Sequence, residues 1–158
     1  MQTTKNVTAF VLIALFVAAP FAEAVDAKKA QYVGGTVASI TEGADGVLDT
    51  KAEDKLTFTA KGGSIEIPYA AIESLEYGQK AGRRIAVAVL ISPLALFSKK
   101  RKHYLTIEYK DAQDKKQAVV LELGKDIVRA TLTVVATRSG KEIEYQDEEA
   151  RKASKGGN

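Results

Sequence analysis

Alternation with a period of two is the feature that most constrains this chain. Lys55–Ala60 reads KLTFTA and Ser64–Tyr69 reads SIEIPY, with apolar residues at every second position. That is the pattern of a strand with one face buried and one face wet. Between them lies Lys61-Gly62-Gly63, where glycine's freedom to take positive φ suits a hairpin turn. The pattern recurs in Gln31–Ile40, Val47–Thr50, Ala71–Tyr77, His103–Lys110 and Gln117–Leu123. The Gly34-Gly35 pair within the first of these marks a bulge or a close backbone approach. Six or seven strands follow from these runs, at the spacing expected of sandwiches and barrels.

The period changes after Gly124. Ile127, Val128, Leu132, Val134 and Val135 fall on one helical face, which predicts a helix over about 126–139 with Asp126 as N-cap and Gly140 at the C-terminal stop. The β-branched Thr131, Val134 and Val135 leave a strand open as the alternative. Lys141–Tyr145 suggests a short extended piece. Residues 146–158 are charged and end in Gly-Gly-Asn, which reads as a disordered tail.

The start of the chain reads differently. Residues 1–24 carry Lys5, an apolar core from Ala9 to Ala19, Pro20 and the small-residue pattern Ala22-Glu23-Ala24. Those are the parts of a secretory signal peptide, and the core is shorter than the ~20 apolar residues of a membrane span. An uncleaved anchor is the alternative. Cleavage after Ala24 leaves a domain over 25–145 plus the tail. With no Cys anywhere, the expectation is an exported product of the bacterial periplasm or envelope, or a secreted one, held together by its core alone.

Antiparallel strands, an interruption, more strands and a terminal helix make up the order of a pleckstrin-homology-like (PH-like) domain. The resemblance is closest to the bacterial PH and GRAM-like group. It rests on Ile67-Pro-Tyr-Ala-Ala-Ile-Glu-Ser-Leu-Glu-Tyr77, and on Glu122-Leu-Gly-Lys-Asp126 leading into a helix that ends Arg138-Ser-Gly-Lys141. It implies a mostly β, α+β fold: an antiparallel β-sandwich or partly open barrel of six to seven strands with one C-terminal helix, and no catalytic residue. Eukaryotic PH domains often bind phosphoinositides through basic residues near the first hairpin. Val33–Ala44 has no Lys or Arg, so that function does not carry over.

This chain departs from the family in an apolar insertion over 81–102. From Gly78 to Thr106 there is no acidic residue, while Lys80, Arg83, Arg84, Lys99, Lys100, Arg101 and Lys102 give a local charge of +7. The whole chain carries +3, unchanged by removal of residues 1–24, so the rest of the domain holds −4. Between the basic clusters runs Ile85–Phe97, thirteen residues of which only Ser92 is polar. A spanning helix is disfavoured, since thirteen residues at ~1.5 Å each cover about 20 Å of a ~30 Å hydrocarbon core. Pro93 and the basic residues on both flanks argue the same way.

Two readings of the insertion stay open. In one, Arg83, Arg84, Lys99, Lys100, Arg101 and Lys102 clamp an anionic lipid surface while Leu90, Ile91, Leu94, Leu96 and Phe97 form a wedge into it or into an apolar envelope partner. In the other, 85–97 is buried core or a homo-oligomer interface. Nucleic acid is not expected as a partner: export removes the chain from it, and only Phe97 and Tyr104 flank the basic run as stacking residues.

Chemistry is narrowed by composition. Zero Cys and one His exclude thiol catalysis, iron–sulfur clusters and multi-histidine metal sites. The glycines match neither G-x-G-x-x-G nor a P-loop, and Asp45, Asp49, Glu53 and Asp54 lack EF-hand spacing. His103 lies among cations that disfavour its charged form, so it reads as structural. The sequence thus reads as a non-enzyme with no cofactor.

Overall fold

In the computed structural model the described residues are 28–80, 90–91 and 102–155. Residues 1–24, read above as a signal peptide, lie outside them. The strands are β1 (Lys28–Gly35), β2 (Ala44–Asp49), β3 (Lys55–Ala60), β4 (Gly63–Pro68), β5 (Ile72–Gly78), β6 (Leu90–Ile91), β7 (Tyr104–Lys110), β8 (Lys116–Leu123) and β9 (Ile143–Tyr145). The helices are α1 (Val128–Ser139) and α2 (Glu148–Ser154). Eight strands form one curled half-barrel sheet in the order β4-β3-β2-β1-β8-β7-β5-β9, and β6 attaches to β1.

The architecture is mostly β, as expected, with two corrections. The continuous sheet has eight strands rather than six or seven, because Ile143–Tyr145 pairs in parallel with Leu75–Tyr77 and adds a strand at the edge. Among the described residues there are two α-helices rather than one. Glu148–Ser154, expected within a disordered tail, is helical because the Asp147 side chain caps it by accepting from Ala150 N–H at 2.7 Å. Ala150 is fully buried in the core, which supplies the tertiary support that so short a helix needs.

Two antiparallel meanders meet at one seam. β1 pairs with β2 through Lys28–Tyr32 and with β8 through Ala30–Gly35. The β1–β8 register shifts between Tyr32 and Gly34, so Val33 is a bulge. At Gly35 a Cβ would stand 2.4 Å from the Ala118 carbonyl and 2.7 Å from the Tyr32 hydroxyl. Only glycine fits that approach, which accounts for Gly35 of the pair that the sequence displays.

The core lies inside the curl. Tyr32, Phe58, Leu56, Ile67, Tyr69, Leu75, Tyr77, Leu105, Ile107 and Leu121 are all nearly inaccessible, and α1 covers one end of it. Val128, Thr131, Leu132 and Val135 form its buried face. Burial of that face outweighs the poor helix propensity of its β-branched residues. Gly140, at φ 67°, closes the helix as expected. The N-cap position falls on Ile127 rather than Asp126, because Gly124–Ile127 makes a turn of its own first, with Ile127 N–H bonded to the Gly124 carbonyl.

Arg138 fastens the far end of α1. Its guanidinium donates to the carbonyls of Thr50 and Ala52, the latter at 2.6 Å, and lies 5.6 Å from the centre of the Tyr69 ring. It therefore binds the helix to the β2–β3 connection, at the half of the sheet remote from the β1–β8 seam. Replacing Arg138 with Ala should destabilise the protein by about 1–3 kcal/mol, the range for hydrogen bonds from a charged donor. Lysine should recover only part of this, because its ammonium lacks the planar guanidinium that lies against the Tyr69 ring. Urea midpoints of the two variants check both statements.

Candidate functional site

The basic-flanked segment leaves the sheet at the end of β5 and returns at the start of β7. Gly78 and Tyr104 are paired neighbours there, so both ends of the segment spring from adjacent strands. Arg83, Arg84, Leu94, Leu96, Phe97, Lys99, Lys100 and Arg101 lie outside the described residues. Leu90 and Ile91 are placed by their backbone: Leu90 pairs with Gly35 and Ile91 with Gly34. They take the edge of β1 that β2 leaves open beyond Tyr32. Lys102 stands at the root, where its ammonium meets the Glu122 carboxylate at 2.8 Å with both side chains largely shielded from water.

The exit side is built on Gly78. A Cβ there would lie within 2.3 Å of the Gln146 amide, so the glycine vacates the space that this amide fills. Gln146 Nε2 donates to Glu76 Oε1 and to the Lys80 carbonyl, both at 2.8 Å, and its Oε1 accepts from Lys80 N–H at 3.3 Å. Its own backbone N–H bonds the Tyr77 carbonyl. One side chain from the segment after β9 thus fixes the direction in which the chain departs.

The return side is built on aromatic rings. The Tyr77 hydroxyl meets His103 Nδ1 at 2.5 Å, their rings stack at 6.1 Å, and Tyr145 packs edge-on against Tyr77. Burial pushes the Tyr77 phenol up to about 12, so it stays protonated and can bond Nδ1 in either tautomer of the ring. Burial first, and the Lys125 ammonium second, hold His103 below its ordinary value, with Glu122 acting in the opposite sense. The neutral state expected from the sequence therefore has burial as its main cause, ahead of neighbouring cations.

The outward face of the same strands is also closed off. Val33, Tyr104, Ala118 and Val120 are at most 2% exposed, yet none belongs to the main core cluster. Thr106 sits opposite Val120 in the ladder and is buried too. The Tyr104 hydroxyl is buried without a hydrogen-bond partner, and burial with the nearby Glu122 charge raises it to about 12.

The sequence reading placed Lys102 at this site but missed Glu76, Tyr77, Glu122 and Gln146. Gly78, standing directly before the insertion, was the one legible signal. Among the described residues, no three acidic or His side chains gather as a metal site, and no helix is long and apolar enough to cross a membrane. No protein-family model matches the chain, and no curated protein is significantly similar to it.

Two outcomes are expected at the root. Because folding lowers the His103 pKa, neutral His103 favours the folded state. Its contribution is complete above the unfolded value of about 6.5 and declines as pH falls below it. Thermal midpoints should therefore drop between pH 7 and pH 5, and His103→Gln, which keeps an acceptor for Tyr77, should flatten that interval. Gly78→Ala and Gln146→Ala should each cost about 1–2 kcal/mol. The double variant should cost less than their sum, because both remove the same hydrogen bonds.

Proposed function

We propose that this chain is a non-catalytic, exported binding module of PH-like build, working in the periplasm or envelope or outside the cell. It contacts an anionic membrane surface, or an apolar envelope partner, through segment 81–102. The PH-like reading is supported by a sheet of two meanders joined through β1 and β8 and followed by a helix. The contact reading is carried by one observation: an acid-free stretch of seven cations around a thirteen-residue run with Ser92 as its one polar residue begins and ends on adjacent strands of the sheet. In this role Arg83, Arg84, Lys99, Lys100 and Arg101 hold headgroups while Leu94, Leu96 and Phe97 enter the apolar layer. Lys102, paired with Glu122, secures the root.

A second reading, with 85–97 as buried core or a contact between copies, is favoured by the pairing of Leu90–Ile91 with Gly34–Gly35 and by the closed outward face. Vesicle flotation separates the two. The protein should float with anionic vesicles at low salt, stay behind with neutral ones, and release as salt rises. Reversing Lys99, Lys100 and Arg101 to Glu should weaken binding at least tenfold, since each cation near the surface is worth about 1 kcal/mol. Unaltered flotation of that triple variant, or none by the parent, removes the membrane role. The second reading instead has Leu94→Asp unfold or monomerise the protein.

A further inference from the structure

A groove of about 330 Å³ lies between α1, β9 and the end of α2. Its floor is apolar: Leu132 and Ala136 from α1, and Ile143 from β9. The floor stays open because the side chains that α2 buries are small, Ala150 and Ser154. Cations stand at its margins, Arg129 on the first turn of α1 and Lys155 just past the end of α2. No Asp or Glu lines it, although the Glu148 carboxylate, paired first with Arg151, also feels the Lys155 charge. The Tyr145 ring closes one wall.

We infer that this groove is a binding site for a small organic anion with an apolar body, such as a short-chain monocarboxylate. Charge complementarity selects the occupant. A neutral apolar molecule leaves the two cations unused, and a free inorganic anion gains nothing from Leu132, Ala136 and Ile143. An acidic headgroup held by Arg129 or Lys155 with its chain along the floor satisfies both. The volume stands at the low end of the ~300–1,000 Å³ range of ligand pockets, which admits one short chain and excludes a whole phospholipid. The site uses none of residues 81–102, and it shares with their root only the Tyr145 ring that packs on Tyr77.

Octanoate is the probe, with octanamide as its neutral counterpart and acetate as the charge without the chain. Titration followed by amide NMR and calorimetry should show saturable octanoate binding that shifts the amides of α1 and β9. Octanamide and acetate should bind at least tenfold more weakly. Arg129→Ala and Lys155→Ala, both at exposed positions, should each weaken octanoate about tenfold, the effect of losing one charged hydrogen bond, and leave octanamide unchanged. Ala136→Leu should fill the floor and abolish octanoate binding. Should that variant fold poorly, Thr137→Glu at the exposed margin should repel the carboxylate without touching the core. The proposal is overturned if octanoate does not bind, if octanamide or acetate binds as well, or if Thr137→Glu leaves octanoate unaffected. It is equally overturned if sedimentation shows the groove closed by a second copy of the chain.

Discussion

The seam between β1 and β8 is the constraint on which the rest of the molecule depends. Among the described residues it is the pairing that joins the meander β1–β4 to the strands β8, β7, β5 and β9. Cutting it divides the sheet into two halves, each with an exposed inner face. The seam must also turn sharply to curl the sheet, and the Val33 bulge with the side-chain-free Gly35 lets it do so. Bulges bend the strand that carries them, so the closeness of Gly35 to Ala118 and the curvature that encloses the core share one cause. The half-barrel keeps an open end, and α1 covers it. Arg138 completes the enclosure by reaching the backbone of the β2–β3 connection from the helix.

The same bend places the insertion. Once β1 turns past Tyr32, β2 no longer follows it, and two residues of β1 are left with an open edge. Unpaired backbone groups on a strand edge attract another strand, and Leu90–Ile91 occupies that position. Among the described residues the segment is tied by Gln146 where it leaves, by Glu122 and Tyr77 where it returns, and by β1 between. Each tie belongs to a different element, so the root reports on the integrity of the whole sheet.

Most of the fold was legible because its elements follow local rules. Lys55–Ala60 and the strand after it alternate without a break, and Gly62 and Gly63 sit where the turn needs them. Gly140 ends α1 at the position its lack of a side chain suggests. The departures occur where tertiary contacts decide. β1 ends at Gly35 although the alternation runs to Ile40, because the chain must turn there for Ile40 to reach the core from a loop. α2 depends on Ala150 finding the core, and a charge-rich sequence gives no sign of that. At the root, Tyr77 and Gln146 look like ordinary strand and tail residues. Their roles come from strands brought together across 26 and 70 positions of sequence.

Magnitudes decide whether the tie to β1 conflicts with membrane contact. Two residues of antiparallel ladder contribute at most a few hydrogen bonds, each worth a net ~0.5–1.5 kcal/mol. Lys102 is already engaged by Glu122, which leaves six cations of the seven. At about 1 kcal/mol each beside an anionic surface, they exceed the ladder before any apolar insertion is added. On the proposed membrane reading, release of Leu90–Ile91 is therefore more favourable on an anionic bilayer than on a neutral one, where apolar burial alone offsets the loss of the ladder. On that reading, the tie to β1 sets a threshold for contact, and the basic residues of the segment bias that contact towards anionic surfaces.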